Sequence, residues 1–149
     1  MQTFLPYPDY VKSAKTLDYR RLGKQRVEAW QILLTLQKGP TLPNGKKTPW
    51  YNHPAVQMWK GFENALIEYG IAMCDEWISR GYNDSLRDKF WHKYPWHQSA
   101  PKPIWFGSYR FHLSHRSNLL RKDRDFYLGK FGVIRDDRQY VWPTQVINS

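Results

Sequence analysis

The sequence contains one cysteine, Cys74, and no long apolar run. A single cysteine excludes an internal disulfide and a cysteine-rich zinc module, and we interpret Cys74 as a small core residue. No apolar stretch reaches the roughly 18 residues of a membrane span and no signal-peptide pattern opens the chain, so we expect a cytoplasmic protein without a membrane partner. A glycine-rich phosphate loop and a serine nucleophile elbow are also missing, which argues against nucleotide-triphosphate chemistry and a hydrolase triad.

Acidic residues are scarce as well. Against 23 Lys and Arg there are 13 Asp and Glu, so the 149-residue chain has a formal net charge of +10. This excess favours a polyanionic partner, with nucleic acid as the leading candidate. Aromatic residues make up 17% of the chain, more than a small core can absorb, so we expect some of them to be exposed and able to stack on bases. The length predicts one domain over 1–149, and we expect a monomer.

Apolar spacing predicts an all-α fold with three main helices joined by long aromatic-rich loops. Asp9 is a candidate N-cap for a short helix, Lys38-Gly39-Pro40 ends the first long helix, and Pro54 suits the start of the central helix. Gly61 and Gly70 lie inside that central pattern, which predicts the close passage of another backbone. We read 82–107 as an ordered irregular loop and 129–149 as a tail that packs back on the body. The predicted helices cover 10–17, 18–37, 54–81 and 108–127.

The first long helix has a dense basic cluster of Arg20, Arg21, Lys24 and Arg26. Four cations within seven residues favour phosphate contact, although a solvated helix with intrahelical ion pairs has the same pattern. Asp18, Arg21, Gln25 and Glu28 share one helical face. Glu28 stands where the sequence turns apolar, and a partly desolvated carboxylate there suits general acid–base chemistry. A plain ion pair of Glu28 with Lys24 or Arg21 fits the spacing equally well.

The third helix has two histidines beside arginine. His112, His115 and Arg116 favour phosphate or base contact, with ordinary packing as the alternative. A metal site would need a third ligand, and His92 and His97 lie in the irregular segment without a metal-binding signature, so we expect neither metal nor cofactor.

Several short motifs, in their order and joint spacing, resemble the pyrimidine-dimer DNA glycosylase family, closest to its bacterial branch. They are MQTFLPYP at 1–8, LGKQRVE at 22–28, Asn52-His53-Pro54, SRGYN at 79–83, SHRS at 114–117, LRKD at 120–123 and YVWP at 140–143. The resemblance implies an all-α DNA repair glycosylase with abasic-site lyase activity that acts on damaged double-stranded DNA.

The resemblance also implies catalytic residues. The nucleophile of the family is the N-terminal amine, here that of Met1, which the bulky Gln2 predicts to be retained. In the family, a glutamate on the first long helix assists this amine in the reaction. Counting forward from the N-terminus reaches Arg21, a departure from the family pattern, whereas counting back from His53 reaches Glu28. We therefore predict Glu28, with Asp18 on the same face as the alternative.

The remaining predicted site residues would bind DNA. They are Gln2, Arg20, Arg21, Lys24, Gln25, Arg26, His53, His112, His115, Arg116, Arg121 and Lys122. Two other functions stay open: the same chemistry on another damaged or modified base, and a DNA-binding module without catalysis.

Overall fold

The computed structural model describes residues 1–94 and 100–143, and these residues form seven helices without a β-strand. The only strand-like pairing among them is an isolated antiparallel bridge between Thr41 and Lys47. The predicted all-α fold is confirmed. The helices are α1 (Tyr10–Thr16), α2 (Tyr19–Lys38), α3 (Pro54–Gln57), α4 (Glu63–Ser79), α5 (Arg87–Lys93), α6 (Tyr109–Lys122) and α7 (Arg124–Phe131).

Local capping explains where the first two helices begin and end. The Asp9 carboxylate accepts the backbone N–H of Lys12 at 2.8 Å, and that of Asp18 accepts the N–H of Arg21 at 3.2 Å. Each carboxylate satisfies a backbone donor that the first turn leaves without a helical partner. At its other end α2 stops at Gly39, which has a φ of 75° that glycine adopts without steric cost. Both helices match their predicted bounds within about one residue.

The core lies between α2 and α4. These two helices pack along their lengths, and α4 also contacts α1 and α5. Cys74 is fully buried in α4, as predicted. No helix in the described part of the chain has both the length and the apolar character that crossing a bilayer requires.

The predicted central helix is in fact two helices. α3 ends at Gln57 and α4 starts at Glu63, with Gly61 at a φ of 83° in the connection. The apolar spacing continues across this break because both pieces bury side chains in the same core, so periodicity alone did not reveal it. Gly70 does lie inside α4, but its close neighbour is the Phe90 ring and not a backbone: a Cβ at Gly70 would clash with that ring.

Two other predicted segments also need correction. The stretch expected to be irregular contains α5, whose Phe90 is buried and packs edge-on against Trp30. The third helix is interrupted at Asp123, where the Asp123 carboxylate accepts the N–H of Phe126 at 3.2 Å and starts α7. Within the tail, Tyr140 and Trp142 pack on the core as expected. Trp96 and His97, like 144–149, lie outside the described residues.

Candidate active site

A groove of about 780 Å³ opens between the N-terminal residues, the first half of α2, the start of α7 and the tail. We call it the groove from here on. It brings together most of the predicted site residues. Its lining residues are Met1, Gln2, Phe4, Asp18, Tyr19, Arg20, Arg21, Lys24, Gln25, Glu28, His53, Lys122, Asp123, Phe126, Tyr140 and Trp142.

The N-terminal arm, residues 1–8, is fixed by buried polar side chains. The Oε1 atom of Gln25 accepts the N–H of Phe4 at 2.8 Å and the hydroxyl of Tyr69 at 2.7 Å. His115 Nδ1 accepts the N–H of Leu5 at 2.9 Å. Because these partners are all buried, leaving any of them unpaired is costly, and the arm has one defined path through the core.

Two more contacts extend this attachment along the arm, and a third fixes the ring of His112. His112 Nδ1 lies 2.8 Å from the Leu5 carbonyl and donates to it, while His112 Nε2 accepts the N–H of Gly107 at 2.9 Å. Arg116 donates to the Pro6 carbonyl at 3.2 Å. These contacts hold Phe4, Leu5 and Pro6 in place, and Met1 at the start of the arm lies in the groove.

Glu28 has a carboxylate oxygen with no hydrogen-bond partner. Its side chain is 14% exposed, Oε1 lies 3.9 Å from Lys24 Nζ, and the buried Oε2 accepts no hydrogen bond from any described residue. A buried acceptor without a partner is rare, and at an active site it is available to a substrate. The predicted ion pair with Lys24 is present but leaves this oxygen free.

His53 lies beside both Met1 and Glu28. Its Nδ1 accepts the N–H of Ala55 at 3.0 Å, which caps α3 and leaves Nε2 as the protonated nitrogen of the neutral ring. Burial lowers the pKa of His53, the positive charge of the Met1 amine lowers it further, and the Glu28 carboxylate opposes the shift. A neutral His53 offers the groove a hydrogen-bond donor without a charge.

Asp18 is used differently from Glu28. Its carboxylate caps α2, accepts the hydroxyl proton of Tyr127 and receives Arg21 Nη1 at 3.1 Å. Burial alone would raise the pKa of Asp18, but the hydrogen bonds from Tyr127 and Arg21 outweigh it and the pKa is lowered. Both oxygens of Asp18 are therefore occupied by structural contacts, in contrast to Oε2 of Glu28.

Part of the groove lining is a basic wall of three residues. Arg20 and Lys24 come from α2 and Lys122 from the end of α6, all three with exposed side chains. Arg21 also lines the groove but is already paired with Asp18. Exposed cations beside an open groove suit the phosphate backbone of a nucleic acid.

The structure does not place several predicted DNA-binding side chains at the groove. His112 and His115 are buried against the arm, and Gln25, although it reaches the groove wall, uses its side chain on Phe4 and Tyr69. These three side chains fix the arm, because they pair with the backbone N–H groups of Phe4 and Leu5 and with the Leu5 carbonyl inside the core.

Three arginines are also engaged elsewhere. Arg26 forms a buried ion pair with Asp84 beneath the Trp77 ring, 4.5 Å from its centre. Arg121 donates to the Asp136 carbonyl at 2.7 Å, and Arg116 holds the arm as described above. None of the three lines the groove.

Aromatic lining residues were missed by the sequence analysis of the site. Phe4, Tyr19, Phe126, Tyr140 and Trp142 all line the groove. For Tyr140 and Trp142 a signal was available, because both belong to the YVWP motif. The rings of Trp142 and His53 meet edge to face at 6.1 Å, which links the tail to the catalytic candidates.

Within the described residues no group of three or more His, Cys, Asp or Glu side chains could hold a metal ion.

Comparison with known proteins gives one match. A family model described as pyrimidine dimer DNA glycosylase matches residues 1–90, a range that contains the arm, α2 and His53. A search of curated proteins found no match, and a search of solved structures also found none. Since the family model covers more than half of the sequence, the chain belongs to the pyrimidine dimer DNA glycosylase family.

Proposed function

We propose that the protein breaks the glycosidic bond of one base of a pyrimidine dimer in double-stranded DNA and then cleaves the strand at the resulting abasic site. The detached base stays joined to its neighbour through the dimer, and base release below means this breakage of the glycosidic bond. The observation that carries this proposal is the meeting of Met1, Glu28 and His53 in one groove with a basic wall. Family membership supports the substrate class, and the N-terminal imine chemistry rests on the geometry and on the resemblance described above.

The proposed reaction begins with the neutral amine of Met1. Its lone pair forms a bond to C1′ of the deoxyribose while the glycosidic bond breaks and the base leaves with the bonding electrons. The amine then gives up one proton, which neutralises the detached base. The nitrogen lone pair forms the C=N bond as the C1′–O4′ bond breaks and O4′ takes up a proton, so the product is a protonated imine with an open sugar. The imine acidifies the C2′ proton, and its removal lets the 3′ phosphate leave by β-elimination.

Glu28 is the proposed partner of the amine. A carboxylate close to C1′ stabilises the positive charge that develops on the sugar, and its free Oε2 is available to accept a proton. His53 adds a neutral donor, and the basic wall holds the phosphates of the distorted duplex. None of these steps draws on a metal or cofactor.

A duplex oligonucleotide with one thymine dimer tests the function. We expect base release, strand cleavage and, with borohydride present, a covalent protein–DNA adduct, because borohydride reduces the imine to a stable amine. Base release without any adduct would contradict the imine mechanism. Activity on another modified base but not on the dimer would redirect the substrate assignment, and binding without either reaction would leave only a DNA-binding module.

Two matched substitutions test the carboxylate assignment. Glu28→Gln should slow base release by about 10²- to 10⁴-fold while duplex affinity is equal or slightly higher, since a negative charge near phosphates is lost. Asp18→Asn should keep most activity because asparagine still caps α2, but it should lower the melting temperature. If Asp18→Asn abolishes base release and Glu28→Gln does not, the two roles are reversed.

A further inference from the structure

Trp50 has a backbone conformation that tryptophan normally avoids. Its φ is 67°, and no other non-glycine residue in the described ranges has a positive φ. In this region the Cβ of an L-residue approaches the carbonyl oxygen, so the conformation costs free energy at any residue but glycine. Such a cost persists where the surroundings fix the backbone and is concentrated at functional sites.

The residues around Trp50 fix this backbone. Tyr51 is buried, its N–H donates to the Thr48 carbonyl at 3.3 Å, and its own carbonyl accepts Gln57 Nε2 at 2.6 Å. The N–H of His53 donates to the Trp50 carbonyl at 2.9 Å. The indole ring itself is not packed into the core, since 62% of Trp50 is exposed to solvent. Core packing therefore does not compensate for the unfavourable φ.

The exposed indole lies next to His53, a residue of the groove lining. Its ring centre is 5.8 Å from that of His53, and His53 lines the groove together with Met1 and Glu28. The same loop carries the exposed Lys46 and Lys47. A large flat ring on a loop with two exposed lysines, packed against a histidine that lines the groove with the proposed nucleophile, is placed to meet the bases of a bound duplex.

We propose that Trp50 inserts its indole into the base stack beside the reacting nucleotide and fills the space that opens when a base leaves the stack. This inference rests on the proposed function, because base release at a duplex requires the sugar to be reached and a base to be displaced. Displacement costs unstacking free energy. An apolar side chain that takes the vacated place keeps the duplex open, and a tryptophan ring stacks on any neighbouring base.

The test compares a duplex with a strand that has no stack to open. Trp50→Ala should slow base release from a dimer-containing duplex by at least about fivefold, while borohydride trapping on a single-stranded abasic oligonucleotide stays at the wild-type rate. Trp50→Phe should recover most of the duplex rate because it restores an aromatic face. Trp91→Ala is the matched control: this tryptophan is also exposed but lines a separate cavity, so both rates should stay unchanged.

Trp50→Gly separates the role in DNA opening from a role in folding. Glycine adopts a positive φ freely, so the melting temperature should stay equal or rise, while the duplex rate falls as in Trp50→Ala. A wild-type duplex rate in Trp50→Ala would overturn the inference, and so would equal slowing on duplex and single strand. Failure of the wild-type protein to trap either substrate would instead overturn the proposed function.

Discussion

His115 makes the attachment of the N-terminal arm sensitive to acid. The ring is buried, and its Nδ1 accepts the N–H of Leu5 at 2.9 Å, which requires an unprotonated nitrogen. Burial and, to a smaller extent, the nearby His112 together lower the pKa of His115 to about 3. The pKa of His112 is also lowered, mainly by burial. Protonation of His115 would place an N–H against the N–H of Leu5, so acid should release the arm that carries Met1.

The expected loss follows from proton linkage. In the unfolded chain a histidine binds a proton below about pH 6.5, whereas folded His115 stays neutral until about pH 3. The unfolded state therefore binds more protons in this window, and the free energy of unfolding falls as the pH falls. Between pH 7 and pH 5 the loss from one such histidine is about 2 kcal/mol. Asp18 and Asp84, whose pKa values are lowered, contribute only at more acidic pH.

His115→Asn is the matched variant for this prediction. The Oδ1 atom of asparagine stands near the position of Nδ1 and can accept the Leu5 N–H, but it does not titrate. Urea unfolding at pH 7, 6 and 5 should show that wild type loses about 2 kcal/mol more than the variant, while His112 contributes equally to both. Parallel pH dependence in the two proteins would refute the assignment of a neutral, arm-binding His115.

Three further predictions concern the basic wall and the core. If the three cations of the basic wall meet phosphates, log K for duplex binding should fall with log salt at a slope of about −2.7, and Arg20→Ala should make the slope shallower by about 0.9. Arg26→Ala should leave the slope unchanged but destabilise the fold by about 3 kcal/mol, since the buried Asp84 carboxylate loses the cation that it pairs with; equal slope changes in both variants would place Arg26 on the DNA. Gly70→Ala should lower the free energy of unfolding by about 1–3 kcal/mol through its clash with Phe90. The control Gly129→Ala, in α7 with open space around it, should raise it by about 0.5–1 kcal/mol, and similar effects of the two would contradict the packing at Gly70.

The local parts of the fold were predictable from the sequence. Asp9, Asp18 and Gly39 are capping residues that act on neighbours a few positions away, so the bounds of α1 and α2 followed from the sequence alone. The break before α4 was not predictable in this way. Residues on both sides of it face one core, and a continuous apolar pattern results from two short helices as readily as from one long helix.

Of the site, the sequence predicted only which residues of α2 share a helical face. Spacing put Asp18 and Glu28 on one face but could not choose between them, because the choice depends on Tyr127, a hydroxyl from 109 positions away. His115 was predicted to bind DNA because it can carry a positive charge and is followed by Arg116. Its partner is the backbone of Leu5, 110 residues distant, and no local pattern reports such a pairing.

The position of the borohydride adduct tests the role of the Met1 amine most directly. The trapped protein is digested after removal of most of the DNA, and mass spectrometry locates the residue that carries the sugar remnant. We predict the remnant on the α-amine of Met1, and no adduct when that amine is acetylated, since an amide nitrogen is not nucleophilic. A remnant on a lysine such as Lys24, or an acetylated protein that traps DNA at the wild-type rate, would contradict this role.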